Sequence, residues 1–256
     1  MKKFIICTRG RTGSTAIIDE LNKSEGLVAA QELFIPNNPK IGDKYPLGFF
    51  HPPFNQWKLE NVTWVKYLPL INMEFWQAKK YLRHIEHECD EVGCEVFGFK
   101  VLTYHFNQRK YLSKLLQQLS YNKVIFLERN IFSQVISGMV AKETKLYNST
   151  DEVSKERQCL IDIEKLKWQV RYTTKQVQKD HDFLISCGFD VKRVHYEDFV
   201  SDRKAFYKDI FNFVGYSGDI PDVTDFKVMI KNLRDTLINY DEVALCASEL
   251  GFDIEG

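Results

Sequence analysis

Short apolar runs, each closed by a loop and followed by a helical pattern, constrain this chain more than any other feature. Lys3 to Thr8 is rich in Ile and Phe and stops at a glycine-containing loop, as a strand buried in a parallel sheet does. From Ser14 the pattern turns helical, through Thr15-Ala16-Ile17-Ile18-Asp19-Glu20-Leu21. Glu95 to Val101, Lys123 to Leu127 and Val191 to His195 repeat the strand pattern with helical stretches between them, and Leu27 to Ala30 is a weaker strand of the same kind. Alternation of this sort predicts a three-layer α/β fold, a parallel sheet with helices on both faces.

The 256 residues fit one domain, spanning 1–256, with one irregular insertion at about 35–76. There Pro36, Pro39, Pro46, Pro52, Pro53 and Pro69 interrupt Phe49, Phe50, Phe54, Trp57, Trp64 and Tyr67. Two readings stand side by side: the rings shape a ligand pocket, or they staple the loop to the domain. Asp151 to Cys187 reads as mostly helical, with Ile163, Leu166, Val170, Val177 and Leu184 near heptad spacing. Thr173 and Asp180 break that stripe, so packing against the sheet is expected rather than a coiled coil.

Lys and Arg number 35, as do Asp and Glu, so no global field draws the chain to nucleic acid or anionic lipid. An anion has to be held by a local site. No run is long enough for a membrane span and the N-terminal run is too short for a signal peptide, which points to a soluble cytoplasmic protein. Cys7, Cys89, Cys94, Cys159, Cys187 and Cys246 contain no C-x-x-C pair and read as reduced, mostly structural thiols. His84, His87, Cys89 and Cys94 lie close in sequence, but their spacing fits no zinc motif, and Lys79 to Glu91 reads as the solvated face of a helix. No metal is expected.

Chemistry concentrates at two strand ends. The first strand runs into Arg9-Gly10-Arg11-Thr12-Gly13-Ser14-Thr15 and then a helix. Helix N–H groups, a permissive backbone at Gly13, and the Ser14 and Thr15 hydroxyls make an anion site there. The loop lacks the Gly-Lys-Ser/Thr ending of a Walker A motif, which counts against a kinase. After Lys123 to Leu127 comes Glu128-Arg129-Asn130, then a helix from about Ile131 that carries Ser137 close to two turns on. Arg129 and Ser137 supply donors for a second phosphate. Taken singly, each segment has a plain structural reading, a strand-to-helix turn or an Arg paired with an acid. Together they lie where ligands of parallel sheets bind.

With both segments present, the sequence resembles the sulfotransferase superfamily that uses 3′-phosphoadenosine 5′-phosphosulfate (PAPS), in particular the bacterial carbohydrate sulfotransferases. The resemblance implies a P-loop-like sheet, PAPS as donor without metal, and transfer to a hydroxyl of a carbohydrate or small-molecule acceptor. It gives the 5′-phosphosulfate to Arg11, Thr12, Gly13, Ser14 and Thr15, and the 3′-phosphate to Arg129 and Ser137. It also gives an adenine contact to Tyr196, within Val194-His195-Tyr196-Glu197-Asp198-Phe199. Phe211-Asn212-Phe213-Val214-Gly215 matches a usual helix ending of the family. The match runs from Lys3 to about Asn239, with the insertion unmatched in detail.

Arg11 stands where cytosolic members carry Lys, although the bacterial carbohydrate group has Arg there. The Thr-His pair that supplies the cytosolic base is missing, and His105 falls a few residues late. Gln31-Glu32-Leu33-Phe34 resembles a segment whose Glu is the base, so Glu32 is the expected base and His105 the alternative. The structural reading of Glu32 is a helix cap, or a partner of Arg9 or Arg11. Lys231 and Arg234 are expected either to close over the nucleotide or to belong to an ordinary charged helix. Two rivals remain: an atypical kinase, in which Glu128 would hold magnesium, and an inactive nucleotide-binding module. Nothing in the sequence names the acceptor or sets the oligomeric state.

Overall fold

A computed structural model describes residues 1–35, 43–44, 50–61, 73–144, 158–220 and 233–253. Strands β1 (Lys2–Thr8), β2 (Leu27–Ala30), β5 (Val96–Leu102), β6 (Lys123–Glu128) and β7 (Asp190–His195) form one parallel sheet in the order β2-β5-β1-β6-β7. The strands Asp43–Lys44 (β3) and Phe50–His51 (β4) pair separately. Helices α1 (Ser14–Leu21), α8 (Tyr196–Ser201) and α9 (Arg203–Val214) cover one face of the large sheet. Helices α3 (Met73–Glu91), α5 (Leu112–Gln118) and the C-terminal half of α7 (Ile163–Ser186) cover the other, with α2 (Phe54–Asn61) packed beside α3. The expected three layers are present.

Strand alternation divides the core. Ile5 and Cys7 of β1 point into the α3–α5 layer, and Phe4 and Ile6 into the α1–α9 layer. Each such Phe or Ile, fully buried, contributes about 1.5–3 kcal/mol. Gly98 on β5 is needed by its neighbour: a Cβ there would lie 2.4 Å from the Phe4 ring. A third cluster joins α6 (Ile131–Thr144), the N-terminal half of α7 and α11 (Tyr240–Glu249).

Helix α7 buries Val177 and Leu184 in the sheet layer, as expected, but Leu166 and Val170 against α6 and α11, and Asp162 caps it by accepting from Lys165 N–H at 3.0 Å. Helix α9 ends at Val214, with Gly215 in the left-handed conformation at φ 80°. In the insertion, Phe54 and Trp57 are buried and pack on Phe34 and Tyr81, so these two rings are staples. Phe49, Trp64 and Tyr67 lie outside the described residues. No group of three metal-binding side chains occurs among the described residues, and no helix there is long and apolar enough to cross a membrane.

The order of connections places the site. From β1 the chain moves to β2 at the edge, returns through β5, then crosses to β6 on the other side of β1. The loops leaving β1 and β6 therefore face each other at the point where the winding reverses, the usual ligand crevice of such sheets.

Candidate functional site

The loop that leaves β1 is pinned from below. The Thr8 hydroxyl, fully buried, donates to the Leu127 carbonyl on β6 at 2.8 Å and lies 2.6 Å from the Thr12 hydroxyl. From α6, the buried Gln134 donates its side-chain N–H to the Gly10 carbonyl at 2.7 Å. With carbonyl 10 tied down, Arg11 and Gly13 take left-handed conformations at φ 70° and 77° on either side of Thr12. Alternation of this kind turns successive N–H groups outward into an anion-binding concavity. It leads into the N-terminus of α1, whose first N–H groups lack intrahelical acceptors.

Helix α1 is itself anchored. Buried Glu20 accepts from Tyr207 Oη at 2.9 Å and from Arg203 Nη1 at 3.0 Å, which fixes α1 to α9. Gly13 has two reasons to be glycine: its positive φ, and the Tyr196 ring, whose Cε2 would lie 2.1 Å from a Cβ. Tyr196 thus sits directly on the loop. The guanidinium of Arg129 lies 5.0 Å from the centroid of that ring.

Arg11, Arg129 and Ser137 form one cluster rather than the two separate ones the sequence suggested. Arg129 Nη1 donates to the Arg11 carbonyl at 3.2 Å. Arg11 in turn donates to Ser137 Oγ, from Nε at 3.3 Å and from Nη2 at 3.2 Å. Arg129 Nε is buried without a partner among the described residues, and desolvation draws the pKa of this guanidinium below its ordinary value, against the pull of Tyr196 and Glu197. An unmatched donor on a buried cation is costly unless an acceptor arrives. Glu197 accepts from Asn130 N–H at 2.9 Å, and Asn130 caps α6 by accepting from Ser133 N–H at 3.0 Å.

Individual side chains divide by what they can still offer. Thr12 has turned its hydroxyl inward to Thr8 and the Arg9 carbonyl, so that hydroxyl is already committed. Ser14 and Thr15 have no hydrogen-bond partner for their hydroxyls among the described residues. Arg9 Nε is engaged with Asp180 at 2.6 Å. Arg234 stacks on Tyr240 with 4.7 Å to the centroid, and Lys231 lies outside the described residues.

Glu32 stands apart from this cluster. It pairs with neither Arg9 nor Arg11; its Oε1 lies 2.8 Å from Lys100 Nζ, and both side chains are largely buried. Lys100 on β5 is in register with Ile6 on β1, so the pair lies one strand from the root of the loop. Nearby, His105 is fully buried. Its Nδ1 accepts from Leu102 N–H at 3.3 Å and its Nε2 has no partner. Burial, then Arg109 and Lys100, lower its pKa to about 4, which leaves a neutral ring with the proton on Nε2. With its lone pair already used, His105 is poorly set to accept a proton from an acceptor. The Glu128 carboxylate, 2.7 Å from Arg193 Nη2, is turned toward β7. The carboxylate that a kinase would turn to magnesium is thus already paired with a guanidinium.

Sequence reading missed Gln134, Thr8 and Lys100. For Lys100 a signal existed: a lysine inside the apolar run Phe97-Gly98-Phe99-Lys100-Val101 has to find a buried partner. For Gln134 none did, because its role depends on where the Gly10 carbonyl comes to rest.

No protein-family model and no curated protein sequence matches the chain. A sulfotransferase from Alicyclobacillus acidocaldarius, known from its crystal structure, is similar over 100% of this chain and 98% of its own, at 16% identity and a TM-score of 0.47. Likeness at that level decides nothing about chemistry, which has to come from the residues themselves.

Proposed function

We propose that the chain is a PAPS-dependent sulfotransferase acting on an acceptor hydroxyl. One observation carries the reading: the left-handed loop at the end of β1 and the Arg11–Ser137–Arg129 cluster at the end of β6 offer two groups of anion donors in one crevice. A nucleotide with phosphates at both ribose ends matches such a pair, and the unpartnered Arg129 Nε is a donor waiting for an oxyanion. When bound, PAPS supplies the sulfuryl group and a bisphosphate leaving group.

The chain's own part is positioning and charge stabilisation, as in phosphoryl transfer. N–H groups of Thr12 through Thr15, with the Ser14 and Thr15 hydroxyls, hold the 5′-phosphate. The Arg11 guanidinium moves between Ser137 and the charge that develops on the leaving oxygen. Arg129 and Ser137 hold the 3′-phosphate, and Tyr196 borders the adenine. Glu32 takes the proton from the acceptor hydroxyl, its carboxylate oriented by Lys100. No metal enters this scheme.

Thermal stabilisation tests the reading. Adenosine 3′,5′-bisphosphate without metal is expected to raise the melting temperature well above any effect of ATP with magnesium, because a ligand that prefers the folded state stabilises it by mass action. A larger shift with ATP and magnesium would favour the kinase. A bisphosphate shift without turnover on any acceptor would favour the inactive module.

A further inference from the structure

On the α6 side of the loop a cleft of about 540 Å³ opens between Arg9–Arg11, the outer face of α6 and the first turns of α7. Its wall carries Trp168 and Tyr172, one helical turn apart, with rings parallel to within 9° and centroids 5.2 Å apart. Trp168 is 61% exposed, Tyr172 48%, and Leu160 on the same cleft 67%. The buried side of α7 is made by Leu166 and Val170, so the core does not use these rings. Three large apolar side chains gathered in solvent around a cleft of ligand size mark a binding surface.

We propose that this cleft holds the body of the acceptor, and that the acceptor carries a flat aromatic ring stacked on the Trp168–Tyr172 pair. The proposal rests on the sulfotransferase reading. The two rings already form an offset stack, and a third planar ring extends it at the usual aromatic spacing. Val135 and Met139 add apolar wall, and Lys142, Glu143, Lys165, Gln169 and Thr173 line the same cleft with polar groups that can meet polar substituents on such a ring. Because α6 follows β6 and Glu32 follows β2, with β5 and β1 between, the two lie on opposite sides of the loop. The acceptor is therefore extended, its ring in the cleft and its reacting hydroxyl projecting past Arg11.

Calorimetric titration tests this without turnover. The probes are 4-phenylphenol and 4-cyclohexylphenol, alike in length and hydroxyl and different only in the distal ring, each added with saturating adenosine 3′,5′-bisphosphate. The native protein is expected to bind the phenyl compound more tightly. Trp168→Ala should weaken that compound about tenfold and abolish the preference, Trp168→Phe should keep most of it, and bisphosphate affinity should stay within about twofold in both variants. Equal binding of the two probes, or indifference of the phenyl compound to Trp168→Ala, overturns the cleft assignment alone. N-acetylglucosamine binding that depends on Trp168 overturns the aromatic class. If the bisphosphate itself fails to bind the native protein, the sulfotransferase reading falls and the acceptor site with it.

Discussion

The loop that follows β1 and the segment that follows β2 both sit at strand ends, yet they treat polar groups in opposite ways. In the loop, Thr8 and Gln134 hold the backbone by its carbonyls and side chains, and the N–H groups are left facing outward. Around Glu32, charges lie near opposite charges: Lys100 at 2.8 Å from Glu32, and the half-exposed Glu74 at 3.4 Å from Arg109. The first arrangement leaves the Ser14 and Thr15 hydroxyls and the buried Arg129 Nε without partners among the described residues. The second is a largely compensated pair in which, on the proposed mechanism, Glu32 would both neutralise Lys100 and accept a proton. The unpartnered donors at the loop would be completed by a ligand, whereas the Glu32 carboxylate already has its counter-charge in Lys100.

The comparison breaks most sharply at Gly13. Gly13→Ala puts a Cβ at 2.1 Å from Tyr196 on a residue at φ 77°, so roughly 2–4 kcal/mol of stability and most bisphosphate affinity should go. Urea denaturation and calorimetry measure both; wild-type values in this variant contradict the account of the loop. Next in size is Glu32→Gln. Turnover should fall by roughly a hundredfold while bisphosphate affinity holds, and stability should drop by about 1–3 kcal/mol because Lys100 keeps its charge in a buried place. Adding Lys100→Met should restore stability and leave turnover low. If the double variant recovers turnover, Glu32 is not the base.

A smaller effect is expected at Ser137. Its hydroxyl meets only the Arg11 guanidinium among the described residues, so Ser137→Ala should weaken bisphosphate binding by a few-fold. A loss as large as that from removing Arg129 would mean that the hydroxyl, rather than the guanidinium, dominates the second phosphate site. The smallest effect lies in acid. His105 is neutral when folded, with a pKa of about 4 against an ordinary 6.5, so between those values the unfolded chain binds more protons. Its contribution is complete above pH 6.5 and is lost as pH falls toward 4. His105→Gln should flatten the fall of the urea midpoint across that window, and an unchanged slope would show that the ring is not buried as described.

Much of the fold was legible because β1, β2, β5 and β6 are apolar over most of their length, whereas β7, at the sheet edge, buries only Val194. Lys2–Thr8, Val96–Leu102, Lys123–Glu128 and Asp190–His195 depart from the expected bounds by a residue or two, as strand ends do, and Leu27–Ala30 agrees. The residues of the loop were legible for a different reason, since glycine at 13 and an arginine just past a strand each answer to a local need. What could not be read was how the pieces share partners. That Arg11 turns to Ser137, that Glu32 finds Lys100, and that Phe54 and Trp57 join the core all depend on contacts between residues far apart in sequence. The exposed pair on α7 was hidden because heptad spacing draws the eye to Leu166 and Val170, while Trp168 and Tyr172 fall on the other face.

The central claim is that one crevice holds two anions, one on the loop after β1 and one at the Arg129–Ser137 end of the shared cluster. Calorimetric comparison of adenosine 3′,5′-bisphosphate with adenosine 5′-monophosphate, on the native protein and on Arg129→Ala, tests it most directly. The native protein should prefer the bisphosphate by roughly a hundredfold, since the second phosphate gains charge-assisted bonds, and Arg129→Ala should erase most of that preference without weakening the monophosphate. Equal affinity for the two nucleotides, or a preference that survives Arg129→Ala, would contradict the account.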